Sequence, residues 1–224
     1  MNSKEFIDAF NVIYSNAYNA NCCLLLINKY EYHFDRNVDA IIQTPAFWYV
    51  TRRALEYACV MHISKVYDDT HNVINITKLL SKDAQEYLSK EYSEFSVSKA
   101  ELYEQFDLEC DGNKDEKLSV AEAIKECGRI KRGIKDGIDL LKTYRCKKYA
   151  HNDVDALTDP DSYADIESLE PHLLPLINYA LNLTLFIHKM IYDGISTDTA
   201  FENIDDIDNL IEIIKASDKR YNND

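Results

Sequence analysis

A chain of 224 residues with 46% hydrophobic content is long enough to bury one sizeable core. Only 5 glycines and 4 prolines argue against a turn-rich all-β architecture, which leaves an all-α fold as the expectation. A formal net charge of −14 excludes a uniformly basic surface, because contact with nucleic-acid phosphates is driven by Lys and Arg.

Asn2 or Ser3 can cap a first helix, whose apolar stripe of Phe6, Ala9, Phe10, Ile13, Tyr14, Ala17, Cys23, Leu24 and Ile27 runs to about Tyr30. Thr44-Pro45 is an N-cap followed by proline at the first helical position, so a second helix runs from there through Phe47, Ala54, Leu55, Ala58, Val60 and Ile63 to about Tyr67. On it, Arg52 and Arg53 lie one turn before Glu56 and read as an ordinary ion-pair face. Asp68-Asp69-Thr70-His71-Asn72 is a loop, in which Asp68 or Asp69 can orient a group on another helix or simply be solvated.

Asn75 and Ser81 open short helices, and Ser98 to Glu101 is a capping box for a further one holding Leu102, Phe106 and Leu108. Residues 83–118 are acidic and tyrosine-rich with little apolar periodicity, and read as a peripheral helical insertion. Within them, Asp107 to Leu118 sets acids at positions 1, 3, 5 and 9 of a calcium loop with Gly112 at position 6. Leu118 then stands where the bidentate glutamate belongs, so the stretch reads as a polar turn. No internal repeat stands out. Ser119 to Glu122 is a second capping box, and the helix it opens passes three glycines, Gly128, Gly133 and Gly137, which imply a break between two helices or a close approach by another backbone.

Glu170-Pro171 marks a kink or a fresh start, and Leu173 to Ile191 reads as a nearly fully buried helix, with His188 a core or interface residue. Residues 196–224 hold one amphipathic stretch through Ile204, Ile207, Leu210, Ile211 and Ile214 and a polar end. The expected organisation is one helical domain over residues 1–195 followed by a short C-terminal helix. Neither apolar run spans a membrane: Cys22 to Ile27 is too short, and Leu173 to Ile187 is interrupted by Pro175, Asn178, Asn182 and Thr184. Six cysteines at no zinc-ligand spacing, with no cleavable signal, read as reduced thiols of a cytoplasmic protein, and no metal or other cofactor is expected.

Charge is unevenly distributed. From Lys125 to His151 nine basic residues face three acidic ones, a net +6, so the rest of the chain carries −20. This strip surrounds Tyr144-Arg145-Cys146-Lys147-Lys148-Tyr149-Ala150-His151-Asn152-Asp153, in which Asn152 suits the left-handed residue that ends a helix. His151 then sits in the last turn, where the negative end of the helix dipole favours imidazolium while two nearby lysines favour the neutral ring, as suits a proton-transfer group titrating near neutral pH. Lys147, Lys148 and Tyr144 lie on the His151 side of the helix. Arg145, six residues back, is turned roughly 120° away, so it must reach round or the last turn must loosen.

Arg145, five intervening residues and His151, set in this basic segment of an all-helical chain, resemble the HEPN superfamily, whose mark is an arginine followed a few residues later by a histidine. The order of elements, from Phe47-Trp48 through Val66-Tyr67-Asp68-Asp69 and Ile76 to Leu80 to the Arg/His helix and the long apolar helix, looks like the abortive-infection U-type branch. The resemblance implies a HEPN-like helical bundle and a metal-independent endoribonuclease of phage defence or toxin type. Arg145 and His151 are then catalytic, and Tyr144, Lys147, Lys148, Asn152, Asp153 and Asp68 are supporting. It further implies an RNA substrate, a homodimer and, for a toxin, an antitoxin partner. The residue after the arginine is often Asn, Asp or His in active members and is Cys146 here. The alternative is a non-catalytic module that binds nucleotide, RNA or protein.

Overall fold

The computed structural model describes residues 1–70, 72–146, 169–192 and 206–221. The fold is all-α, with two three-residue strands. Helix α1 (Ser3–Arg36) opens on a reciprocal cap: Asn2 Oδ1 accepts from the Glu5 amide and the Glu5 carboxylate accepts from the Asn2 amide, both at 2.9 Å. It runs six residues past the expected end because Glu31 to Arg36 contains neither Gly nor Pro, and it stops only where Asn37 leaves helical geometry. After the short α2 (Val38–Ile41), α3 (Pro45–Tyr67) begins at the Thr44-Pro45 signal and ends at Asp68.

Helices α1 and α3 pack antiparallel. Glu31 meets Arg52, the Ala20 carbonyl accepts from the Cys59 thiol at 3.4 Å, and Asn16 meets His62 at 3.0 Å. Ala9, Ala17 and Ala20 are fully buried on α1, and their small side chains let the α3 backbone approach. Helix α9 (Glu170–Ile191), with Leu169 at its N-cap, begins at the Glu170-Pro171 signal and fills the centre of the molecule. Leu176, Ile177, Ala180, Leu183 and Ile187 have no exposed surface. Its polar atoms are satisfied internally: the Thr184 hydroxyl donates to helix carbonyls one turn back, and the Tyr179 hydroxyl donates to the Cys127 carbonyl at 2.8 Å. His188 lies among the rings of Phe10 and Tyr192.

Between these long helices run α4 (Ile76–Leu79), α5 (Lys82–Glu91), strand β1 (Ser96–Ser98), α6 (Lys99–Glu104), strand β2 (Lys117–Ser119) and α7 (Val120–Lys131). The strands pair antiparallel with Val97 opposite Leu118. Leu88, Val97, Leu102, Phe106 and Leu118 all join the main core. Only helices are expected here from the sequence, because three-residue strands are too short to register as an alternation.

A 3-10 turn (Arg132–Ile134) separates α7 from α8 (Lys135–Tyr144), which is the break that the glycines imply. None of the three glycines has another backbone beside it among the described residues: Gly128 and Gly133 face open space, and at Gly137 the neighbour is a side chain, an added Cβ standing 3.3 Å from the His172 Cβ and Nδ1 on α9. Helix α10 (Asp206–Tyr221) lies across a separate small cluster in which Ile211 meets Tyr30, Ala40, Ile41 and Trp48. Asp208 anchors it to Lys29 and to the buried His33.

These environments predict opposite responses at two glycines. Gly128→Ala, with nothing within 4 Å of the new methyl, should raise the unfolding free energy by about 0.5–1 kcal/mol in urea titration. Gly137→Ala should gain less or lose, since His172 must shift to admit it.

Candidate functional site

Helices α3 and α8 end beside each other. At the C-cap of α3, Asp68 is extended, and its Oδ1 accepts from the Thr70 amide at 3.0 Å and the Thr70 hydroxyl at 2.5 Å. This local turn aims Oδ2 outward, where it receives Arg145 Nη1 at 2.7 Å. The next carboxylate, Asp69, receives Lys142 Nζ at 2.7 Å. Lys142 and Arg145 stand three residues apart and therefore share one face of α8. The helix widens into a π turn at Arg145 and Cys146. Asn75 locks the loop from below by donating to the Asp68 carbonyl at 2.5 Å while capping α4.

The electrostatics follow from these pairings. Asp68 is held down at about 2, chiefly by its hydrogen bond from Arg145 and then by Thr70. Arg145 is raised by the same pair, and Asp69 is lowered by Lys142. Lys131, whose ammonium donates to the Thr77 hydroxyl at 3.0 Å, is lowered by burial and by the charge of Lys142.

Two recesses meet here. One of about 210 Å³ is lined by Ser64, Tyr67, Asp68, Asp69, Thr70, Leu141, Lys142, Arg145 and Cys146. The buried Ser64 hydroxyl has no hydrogen-bond partner among the described residues. The other, about 420 Å³, shares Tyr67, Asp69 and Lys142 and carries Lys131, Arg132 and Lys135. Five residues of the basic strip seen in the sequence, Lys131, Arg132, Lys135, Lys142 and Arg145, thus edge these recesses, with Asp68, Asp69 and Asp139 among them.

Of the sequence-derived candidates, Arg145 and Asp68 come together, and Tyr144 is half-buried against the main core. Lys147, Lys148, His151, Asn152 and Asp153 lie outside the described residues. Arg52 bridges Glu31 and Glu56, and Arg53 also reaches Glu56, so the expected ion-pair face is present. It stands sixteen residues up α3 from Asp68, about 24 Å at 1.5 Å per residue. Asp69, read in the sequence as an alternative to Asp68, pairs with Lys142 beside it, and Lys142, Thr70 and Ser64 are additions from the structure. For Lys142 the available signal was its position one turn before Arg145.

No helix among the described residues is long and apolar enough to cross a membrane. A family model described as AbiU2, of the HEPN type, matches residues 36–213. No curated protein and no solved structure matches the chain.

The pairing of Asp68 predicts a pH signature. Its folded value lies below the ordinary 3.8, so the stabilisation is complete above 3.8 and is lost as pH falls through about 2. Asp68→Asn should therefore cost about 1 kcal/mol near neutral pH, a discounted figure for a partly solvated pair. In urea titrations the gap from the wild type should narrow below pH 4 and close only below about pH 2.

Proposed function

Since the chain belongs to the AbiU2 family of HEPN proteins, we propose that it is a metal-independent endoribonuclease acting in phage defence or as a toxin. RNA supplies its own nucleophile, the ribose 2′-hydroxyl, so cleavage needs a group that moves a proton and a cation for the charge that develops on phosphorus-bound oxygens. In this reading His151 moves the proton and Arg145 meets the phosphate. A guanidinium has five N–H donors, so its bonds to Asp68 and to the Cys146 side chain do not exhaust it. Asp68 fixes the fork in place. Lys147 and Lys148 add charge, and Asn152 and Asp153 orient the histidine or the substrate.

The observation that carries the proposal is the placement of Arg145. It is held at 2.7 Å by a carboxylate on another helix, at the edge of a recess of about 210 Å³ that shares Tyr67, Asp69 and Lys142 with a larger one bordered by Lys131, Arg132 and Lys135. One histidine performs one proton transfer at a time, so two copies of the chain facing a shared cleft would complete the acid and base pair. A homodimer follows from that need.

A second reading, an RNA- or nucleotide-binding module without catalysis, draws on Cys146, which is exposed beside Arg145 where active relatives often carry a polar or ionisable residue.

RNA cleavage by the wild type, Arg145→Ala, His151→Ala and Asp68→Asn, each with and without chelator, tests the proposal. Chelator-resistant cleavage should fall by about 10²-fold or more in the first two variants. Asp68→Asn should lose less, because it positions rather than reacts. Cleavage that persists in both Arg145→Ala and His151→Ala overturns the proposal, and RNA that the wild type binds but does not cut establishes the second reading.

A further inference from the structure

The pairing of β1 with β2 changes how the acidic turn before α7 is read. Strand register puts Leu118 opposite Val97, inside the ladder and facing the core. A leucine in that setting is the apolar eighth residue of a twelve-residue calcium loop, the one that pairs with its counterpart in a neighbouring loop, and cannot be the twelfth, which supplies two oxygens. Moving the frame by four residues gives Asp111, Asn113 and Asp115 at positions 1, 3 and 5, the Lys117 carbonyl at 7, Ser119 at 9 and Glu122 at 12. Every ligand position then holds a suitable oxygen donor, and Glu122 lies in the first turn of α7, where a bidentate glutamate belongs.

A second, independent feature comes from the other side of the ladder. Ser96-Val97-Ser98-Lys99-Ala100-Glu101 repeats the pattern of Lys117-Leu118-Ser119-Val120-Ala121-Glu122: a strand, a serine cap, and a glutamate three residues on. Each half carries a reciprocal cap, with the Ser119 amide donating to Glu122 at 2.9 Å and the Ser98 amide to Glu101 at 3.0 Å. Two such halves joined through their eighth residues form the paired arrangement in which calcium loops support each other. The first half has Lys90 and Tyr92 where the second has Asp111 and Asn113, so only the second can hold an ion.

We infer that Asp111 to Glu122 is a calcium loop that takes one Ca²⁺, with the Ser96 to Glu101 half as its ion-free partner. All the side-chain donors are oxygen, which selects a hard cation, and a long flexible loop suits calcium over the smaller, strictly octahedral magnesium. Among the described residues its carboxylates are not gathered around a common point. Glu122 is occupied in capping Ser119, and binding would draw it inward. Glu116 stands at position 6 in place of glycine, and α6 ends at Glu104, well before Asp111. Both departures weaken the site, so a dissociation constant between about 10⁻⁵ and 10⁻³ M is expected.

Calorimetric titration of the full chain with calcium chloride tests the inference, alongside Glu122→Gln and Asp111→Asn. Glutamine keeps the cap but loses the bidentate carboxylate, so the ion-free fold should survive, as judged by an unchanged melting temperature in chelator. One ion per chain is expected, weakened at least tenfold in each variant, with calcium raising the melting temperature of the wild type only. No saturable binding up to about 10 mM calcium, or equal binding by the wild type and both variants, overturns it.

Discussion

Helix α9 has almost no polar surface, and that constraint organises everything else. A 22-residue helix whose Leu176, Ile177, Leu183 and Ile187 are wholly buried must be covered around most of its circumference, and only positions such as Leu174 and Lys189 reach solvent. The antiparallel pair α1 and α3 packs near it, with Tyr67 of α3 donating to the Leu176 carbonyl at 2.7 Å. The helices and small ladder of the middle segment close another face through Phe95, edge-on to Phe186, and Phe106, tilted against Tyr179. Helix α8 is pressed against its first turn at Gly137.

The candidate site arises where that packing brings two helix ends together. The C-terminus of α3 carries the negative end of its dipole, and Asp68 and Asp69 add two further negative charges there. Such a concentration is unfavourable unless cations meet it. Lys142 and Arg145, in the last turns of α8, do so while also facing the negative end of their own helix. The same balance that stabilises the junction fixes a guanidinium and an ammonium at the edge of a recess.

Much of this was legible in the sequence where a local rule acts alone. Thr44-Pro45, the Ser98 and Ser119 caps and the glycine-marked break all depend on residues within one helical turn of each other, and each appears as a helix boundary. The end of α1 was less legible because no residue between Glu31 and Arg36 forbids a helix. The ladder was hidden because its length is three residues, and with it the frame of the acidic loop, where Gly112 offers a false sixth position. At the candidate site, Arg145 and Asp68 are each visible as chemistry, but 77 residues separate them. Only the way α9 holds α3 against α8 decides that they meet.

Trp48 offers a practical consequence of the smaller cluster. It is the sole tryptophan, 2% exposed, 5.6 Å from the Tyr30 ring and covered by Ile211 of the C-terminal helix. Twenty residues of α3, about 30 Å, separate it from Asp68. Its emission colour is therefore a built-in optical gauge of whether the terminal helix is seated, blind to events around Arg145, so the two ends of the molecule can be followed separately in one sample.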